Sequence, residues 1–327
     1  MQEMGLGSLY RRKHSLIGLD FGMSSIKVVE LTRSGGALSL TSFDSVPSAQ
    51  GITGALELLL ARGDFSTRKI ALAVGGRSVC VRYARFPEMP AAELAEAVRL
   101  EADRLLPFED AEITLDCQRL PRSRGDAENE AAPVLVAGCR TEFVEERVEA
   151  VQAAGFTPTL VDVDLLGLVN AWNLDAGPER ASTVALVDVG GARTGIVLVE
   201  DGTPRFTREF EQGGGEASPI SRGDGVVSLD ESGSANEIDA LAREIALSVE
   251  YAEHNEGLEV EEIHLTGGGA LLDGLALKLA EEARKPVELW DPMKAIAQRS
   301  KAPDGFDLGE SGPIFTVALG LAARILD

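Results

Sequence analysis

One short pattern occurs twice in this chain, and any fold must accommodate both copies. Residues 17–34 read IGLDFGMSSIKVVELTRS and residues 185–202 read ALVDVGGARTGIVLVEDG. Superposed without a gap, Asp188 falls on Asp20, Gly190 on Gly22, and Ile196–Val199 on Val28–Leu31. Each copy runs from an apolar stretch through D-x-G and a polar bend into a second β-branched stretch, the pattern of two buried strands. Each then meets a tight turn, Ser34-Gly35-Gly36 or Asp201-Gly202, that leads to a third strand, Ala37–Phe43 or Arg205–Phe210. A duplicated β-bend-β-turn-β unit predicts two related halves whose bends face each other across a cleft.

The chemistry of the bends narrows what that cleft takes. The first carries a carboxylate (Asp20), a backbone free to approach a ligand (Gly22), two hydroxyls (Ser24 and Ser25) and an ammonium (Lys27). Phosphates need such N–H donors, hydroxyls and a cation. A Mg²⁺ that travels with them needs oxygen ligands, often through water. Asp20 and Asp188 are therefore the candidate metal-side acids, with Gly190 and Gly191 as backbone donors from the second bend. There Ala192 stands in place of Ser24 and Gly195 in place of Lys27, with Arg193 or Thr194 as replacements. A D-x-G bend by itself also fits an ordinary polar hairpin turn.

A third element suits the same cleft. IHLTGGGALLDGLALKLAEEA (263–283) predicts a strand, three glycines, and a helix with Leu271, Leu275 and Leu279 on one face. Gly267, Gly268 and Gly269 would let a backbone approach a flat ring or a phosphate at a helix N-terminus. The spacing is not GxGxxG, so a dinucleotide-binding fold is excluded.

The net charge of −22, from 53 acidic and 31 basic residues, argues against nucleic acid and against broad contact with anionic lipid. The acidic surplus lies largely on predicted helices such as 93–103 and 142–149, where it keeps a surface solvated or steers a basic partner. Cys80, Cys117 and Cys139 are widely spaced and only three histidines exist, so no CxxC or Cys/His metal pattern is present. No apolar run approaches a membrane span or a signal-peptide core, which makes the cytosol the expected compartment. Segments 121–132, 212–236 and 300–312 are rich in Gly, Ser, Pro or charge and predict loops.

Between the repeats, residues 90–106 predict a helix that starts at Pro90, buries Leu94, Val98 and Leu105, and ends before Pro107. Strands at 78–86, 112–120, 133–138 and 157–162 and a helix at 141–154 complete a small α+β block. Beyond the second repeat, Asn236 predicts the cap of a helix over 237–254 with Ile238, Leu241, Ile245 and Val249 buried.

Four stretches together resemble the actin-like ATPase superfamily, and within it the type IV pilus assembly protein PilM family. They are SLIGLDFGMSSIKVVEL, RFPEMPAAELAEAVRLEADRLLPFEDAEITLDCQRL (85–120), VEAVQAAGFTPTLVDVDLLGLVNAW (148–172) and PIFTVALGLAARIL. The resemblance implies an α/β, actin-like two-lobed fold with duplicated hairpin, sheet and helix halves and an inserted small α+β subdomain, as in cell-division relatives. It assigns residues 1–80, 157–180 and 313–327 to the first lobe and 81–156 to the insert. It assigns 181–210 and 237–312 to the second lobe and leaves 211–236 as a truncated small subdomain without the A-E-x-x-K lysine. It implies ATP and Mg²⁺ as ligands, and Asp164 as the water-orienting acid where the family has Glu, a shorter reach that predicts slow hydrolysis at most.

The implied partner is the N-terminal cytoplasmic peptide of a PilN-like inner-membrane pilus protein, which would hold the chain at the cytosolic face of that membrane. Other pilus alignment proteins and self-association are further implied contacts. Apolar Phe86, Met89 and Phe108 beside acidic Glu88, Glu109 and Asp110 are the expected docking surface on the insert. Basic Arg11-Arg12-Lys13 would face lipid headgroups. A nucleotide-free interaction protein of a pilus or type II secretion apparatus is the alternative, and a small-molecule kinase a more distant one.

Overall fold

The computed structural model describes residues 13–35, 37–63, 65–108, 111–124, 131–177, 182–215, 231–299 and 311–326. The first repeat forms β1 (Lys13–Phe21), β2 (Ser25–Ser34) and β3 (Ala37–Pro47), followed by α1 (Gly51–Arg62) and β4 (Lys69–Val74). Next come β5 (Val79–Phe86), α2 (Ala91–Leu100), α3 (Ala102–Leu105), β6 (Ile113–Arg119), β7 (Ala132–Arg140), α4 (Thr141–Ala153), β8 (Thr157–Val163) and α5 (Asp164–Ala176). The second repeat forms β9 (Thr183–Val189), β10 (Thr194–Glu200) and β11 (Thr203–Phe210). The chain continues through α6 (Glu231–Glu256), β12 (Glu262–Thr266), α7 (Leu275–Ala283), β13 (Val287–Leu289), α8 (Pro292–Arg299) and α9 (Thr316–Ala323).

The duplication extends well beyond the hairpins. The first sheet has the order β3-β2-β1-β4-β8 and the second the order β11-β10-β9-β12-β13. In both, two antiparallel hairpin pairs are extended by two strands parallel to the first strand. Each sheet packs its apolar residues on helices: Ile17, Leu19, Ile26 and Val28 meet Leu56 and Leu59 of α1, while Val187 and Ile196 meet Leu241 and Ile245 of α6. Helices α5 and α9 pack against each other, and α9 also covers β1 and β2. Every residue of α9 is buried, which explains its nearly uninterrupted small and apolar composition.

Several expected boundaries shift, each for a local reason. The helix over 90–106 breaks into α2 and α3 at Glu101, and Pro90 sits just ahead of its first turn. Leu106 is extended, as the residue before a proline prefers. Strand β8 pairs in parallel with β4, so it belongs to the first sheet and not to the α+β block. The block's own sheet is three-stranded, β5-β7-β6, packed on Leu94, Val98 and Leu106. Phe86 belongs to that core and is only 9% exposed, so it is not a docking anchor. Helix α6 starts at Glu231, which places Asn236 inside it and not at its cap. Helix α7 starts only after Gly274, whose φ of 86° interrupts the chain, so Leu271 lies in a preceding 3₁₀ turn.

Residues 121–124 are not loose. Arg205 donates to the Pro121 carbonyl (2.7 Å) and pairs with Glu200 (3.0 Å), Ser123 donates to Glu200 (3.1 Å), and Arg124 Nε donates to Asp201 (2.9 Å). These contacts tie the insert to the β10–β11 turn of the second half. Residues 125–130, 216–230 and 300–310 of the expected loops, Arg11, Arg12, Gly36, Glu109 and Asp110 lie outside the described residues, while Lys13 opens β1.

Candidate functional site

The ladder register builds the site. Asp20 is still in β1 and stands opposite Lys27 on β2, so the first bend is only Gly22-Met23-Ser24. Lys27 Nζ donates to Asp20 Oδ2 at 3.0 Å, with both side chains about 85% buried. Gly22 is needed there, because a Cβ would lie 2.7 Å from the Ser25 carbonyl oxygen. The second hairpin places Asp188 opposite Gly195 in the same register. A side chain at that position would have to displace Leu165, one of whose methyls would lie 2.3 Å from a Cβ on Gly195. The asymmetry between the copies thus has a steric cause in α5.

The two tips touch. A Cβ on Gly191 would lie 2.5 Å from Ser24 Oγ, and one on Gly267 (φ 87°) would lie 2.2 Å from Asp188 Oδ1. Asp20, Gly22, Ser24, Ser25, Lys27, Asp164, Asp188, Gly190, Gly191, Gly267 and Gly268 all line one narrow cleft of about 80 Å³. Gly269 does not; it is buried against Val189 and Gly214. Not every expected donor is free to act. The Gly190 N–H bonds Arg193 O (2.8 Å) and the Gly267 N–H bonds Pro313 O (3.3 Å), because both sit in turns that close on themselves or on the C-terminal segment. Thr194 is fully buried and donates to Gln212 O, so it does not replace Ser24. Gly214 and Gly215 donate to the Gly190 and Gly191 carbonyls at 2.8 Å, which pins the start of the 212–236 segment to the hairpin. The glycine triplet meets the cleft through a turn and not through a helix N-terminus.

The acids of V-D-V-D are not solvated strand-end groups. Asp162 pairs with Arg324 at 3.0 Å. Asp164 opens α5, where its Oδ1 accepts its neighbour Leu165's N–H at 2.7 Å. A Cβ on Gly75 would strike its other oxygen at 1.8 Å. Arg193 lies between acids, bonding both Glu209 oxygens at 3.0 Å and reaching Asp164 at 3.8 Å. Burial, reinforced by Glu209, pushes the Asp164 carboxyl up to about 8, against the pull of Arg193. Burial, then Asp20, pushes Asp188 up to about 7. Two acids crowded in a dry cleft are a natural cation site. Glu209 escaped the sequence reading; its signal was register, since the Asp201-Gly202 turn sets it opposite Gly195.

The raised Asp164 value carries a pH prediction. Its folded value lies above the ordinary carboxyl range, so the native state holds a proton that the unfolded chain has released. Its contribution to stability therefore falls as pH rises from about 4 to about 8, then levels off. Asp164→Asn will flatten that slope and raise the melting temperature more at pH 8 than at pH 5. Parallel slopes for parent and variant in thermal melts across this range would contradict the assignment.

A sheet-and-hairpin unit built twice, with both copies bent toward one acid-lined cleft and an insert after the fourth strand, defines an actin-like two-lobed protein. The model of the type IV pilus assembly protein PilM matches residues 18–222, well over half of the 327 residues, and the chain belongs to that family. A solved PilM-PilN type IV pilus biogenesis complex is 28% identical, with 95% of this chain and 98% of that chain covered and a TM-score of 0.79. A Bacteroides thetaiotaomicron protein with an actin-like ATPase fold and unknown function is 12% identical, with coverage of 87% and 95% and a TM-score of 0.48. The cytoplasmic domain of EpsL, an inner-membrane component of the Vibrio cholerae type II secretion system, is 14% identical, with coverage of 91% and 100% and a TM-score of 0.45. Among the described residues, no helix is long and apolar enough to cross a membrane.

Proposed function

We propose that this chain is a type IV pilus assembly scaffold that binds ATP–Mg²⁺ between its lobes and holds the cytoplasmic N-terminal tail of a PilN-like inner-membrane protein. The observation that carries the nucleotide half is the convergence of both hairpin bends and the Gly267-Gly268 turn on one cleft. Its residues fit the ligand: Asp20 and Asp188 would hold Mg²⁺ through water, and Ser24, Ser25, Lys27 and the Gly191 N–H would hold phosphate oxygens. The metal would supply charge neutralisation. Entry of a nucleotide requires the touching tips to part, a relative motion of the two lobes. In this reading the lobes are 1–80 with 157–180 and 313–327, and 181–210 with 237–312. Residues 81–156 are the insert and 211–236 a reduced subdomain.

Hydrolysis is slow on this reading. Asp164 is one methylene shorter than the Glu of the family, and its Oδ1 is taken by the Leu165 N–H, so it is poorly placed to orient a water. Phosphate release above about 1 s⁻¹ at pH 7 would overturn that.

The likeness to the PilM-PilN complex supports the partner half. A second groove, of about 650 Å³, lies where the insert meets both halves. Its walls are Gly75–Arg77, Val79–Arg82, Pro107-Phe108, Val163–Leu165 and Thr207–Glu211. Apolar Val81 and Phe108 suit a tail with apolar anchors. The acids nearby are already paired, Glu209 with Arg193, Glu211 with Arg77 and Glu88 with Arg119 and Arg122, so the apolar contacts carry the docking. The groove shares Asp164, Leu165 and Glu209 with the cleft, so occupancy of one is felt at the other. A fluorescent tail peptide will lose tenfold or more of its affinity in Phe108→Ala, with circular dichroism unchanged. Unchanged anisotropy titrations would place the tail elsewhere. Held by that tail, the chain would work at the cytosolic face of the inner membrane.

A further inference from the structure

We propose that Glu262, His264 and Glu288 form a binding site for a first-row divalent metal ion of the zinc type, on the edge of the second sheet and outside the cleft. Strand geometry brings them together. Glu262 and His264 are two residues apart on β12, so they share a face. His264 stands in register opposite Glu288 on parallel β13. One ring nitrogen of His264 and one oxygen of each carboxylate all lie within 4.8 Å of one another.

The imidazole supplies the second observation. His264 is 2% exposed, and neither ring nitrogen makes a hydrogen bond. An unbonded buried nitrogen is costly and calls for a partner. Nε2 lies 3.0 Å from Glu262 Oε1 without hydrogen-bond geometry, and Nδ1 lies 3.9 Å from Glu288 Oε2. One ion takes only one ring nitrogen, and Nε2 is the one nearer a carboxylate. Zinc binds imidazole nitrogen and carboxylate oxygen at about 2.0–2.2 Å in tetrahedral geometry, so two ligands of one ion stand about 3.4 Å apart. Closing to that from separations of up to 4.8 Å needs the Glu288 side chain, 69% exposed, to swing inward by more than about 1 Å, a change of rotamer. The nitrogen donor selects against Mg²⁺ and Ca²⁺, which take oxygen. The ion would pin the three-residue edge strand β13 to β12, whose next residues are the Gly267-Gly268 wall of the cleft.

The site has a built-in reporter. Trp172 and Trp290, the chain's two tryptophans, place their rings 4.6 Å and 6.3 Å from the His264 ring. Full-length protein stripped with chelator and titrated with Ni²⁺ will show saturable quenching of tryptophan fluorescence at one ion per chain. Zn²⁺ will compete, raise the melting temperature, and lose affinity in acid, where the ligands take up protons. Glu288→Gln, at an exposed position that does not endanger folding, and Glu262→Gln will each weaken binding tenfold or more. Asp188→Asn, in the cleft, will leave it unchanged. The proposal fails if no stoichiometric binding is seen. It fails equally if both glutamine variants bind like the parent, or if Asp188→Asn abolishes binding.

Discussion

Gly18→Ala will lower the melting temperature by roughly 4 °C or more, a loss of about 3 kcal/mol or more. Gly18 lies on β1, two residues before Asp20, where helix α9 crosses the strand. A Cβ there would sit 1.9 Å from the Ala318 carbonyl oxygen and 2.5 Å from the Ala322 nitrogen. Both are backbone atoms of a buried helix, so no rotamer change relieves the clash. The helix must move away from the sheet, and it is held on its other side by a second close approach, where Gly320 meets the Gly167 carbonyl of α5. Gly51→Ala is the control: its φ of 73° strains an alanine, but nothing lies within 4 Å. With ψ at 171° it lies where little but glycine goes, so it should cost about 1–3 kcal/mol through backbone strain alone. A Gly18→Ala variant that melts within 2 °C of the parent would show that the α9–β1 contact is softer than described.

Lys27→Ala will weaken ATP–Mg²⁺ binding by roughly 10- to 150-fold, the equivalent of about 1.5–3 kcal/mol for one charge-assisted contact. The variant acts twice. It removes the cation that the first hairpin offers to phosphate oxygens. It also strips Asp20 of its 3.0 Å partner in a cleft already crowded by Asp188. The second hairpin offers no replacement, because glycine stands at 195 in place of a lysine and Arg193 is held by Glu209. Titration calorimetry on folded protein decides it. If Lys27→Ala binds ATP–Mg²⁺ within twofold of the parent, the lysine serves Asp20 alone, and the chain is better read as a nucleotide-free interaction protein.

Period and composition reached far into this molecule. The repeat located Asp20 and Asp188 at matching places in matching hairpins, and the two sheets share one strand order. The α6 stripe Leu241, Ile245 and Val249 is buried as its spacing predicts. The close of the 90–106 helix before Pro107 followed from proline sterics alone. These features are legible because they depend on neighbours within a turn or a strand pair. Helix caps and breaks were less so: Asn236 offers a good cap, yet α6 begins five residues earlier, and Asp273-Gly274 delays α7.

What the amino-acid order determined by itself is the set of local units and the chemistry each carries: two acid-bearing hairpins, a glycine turn, an α+β insert and a small-residue helix. What only the tertiary structure decided is which groups face one another. Arg193 was one of two replacement candidates until Glu209 and Asp164 came to flank it. Gly18 and Gly195 read as strand residues, and their need for a bare Cα came from α9 and Leu165. Asp164 was expected as a water-orienting acid, and burial beside Glu209 in the folded chain raised its proton affinity. The physical reason is common to all three. Sterics within a strand or helix act over a few residues, whereas desolvation, ion pairing and close packing depend on atoms that the chain brings together from far apart.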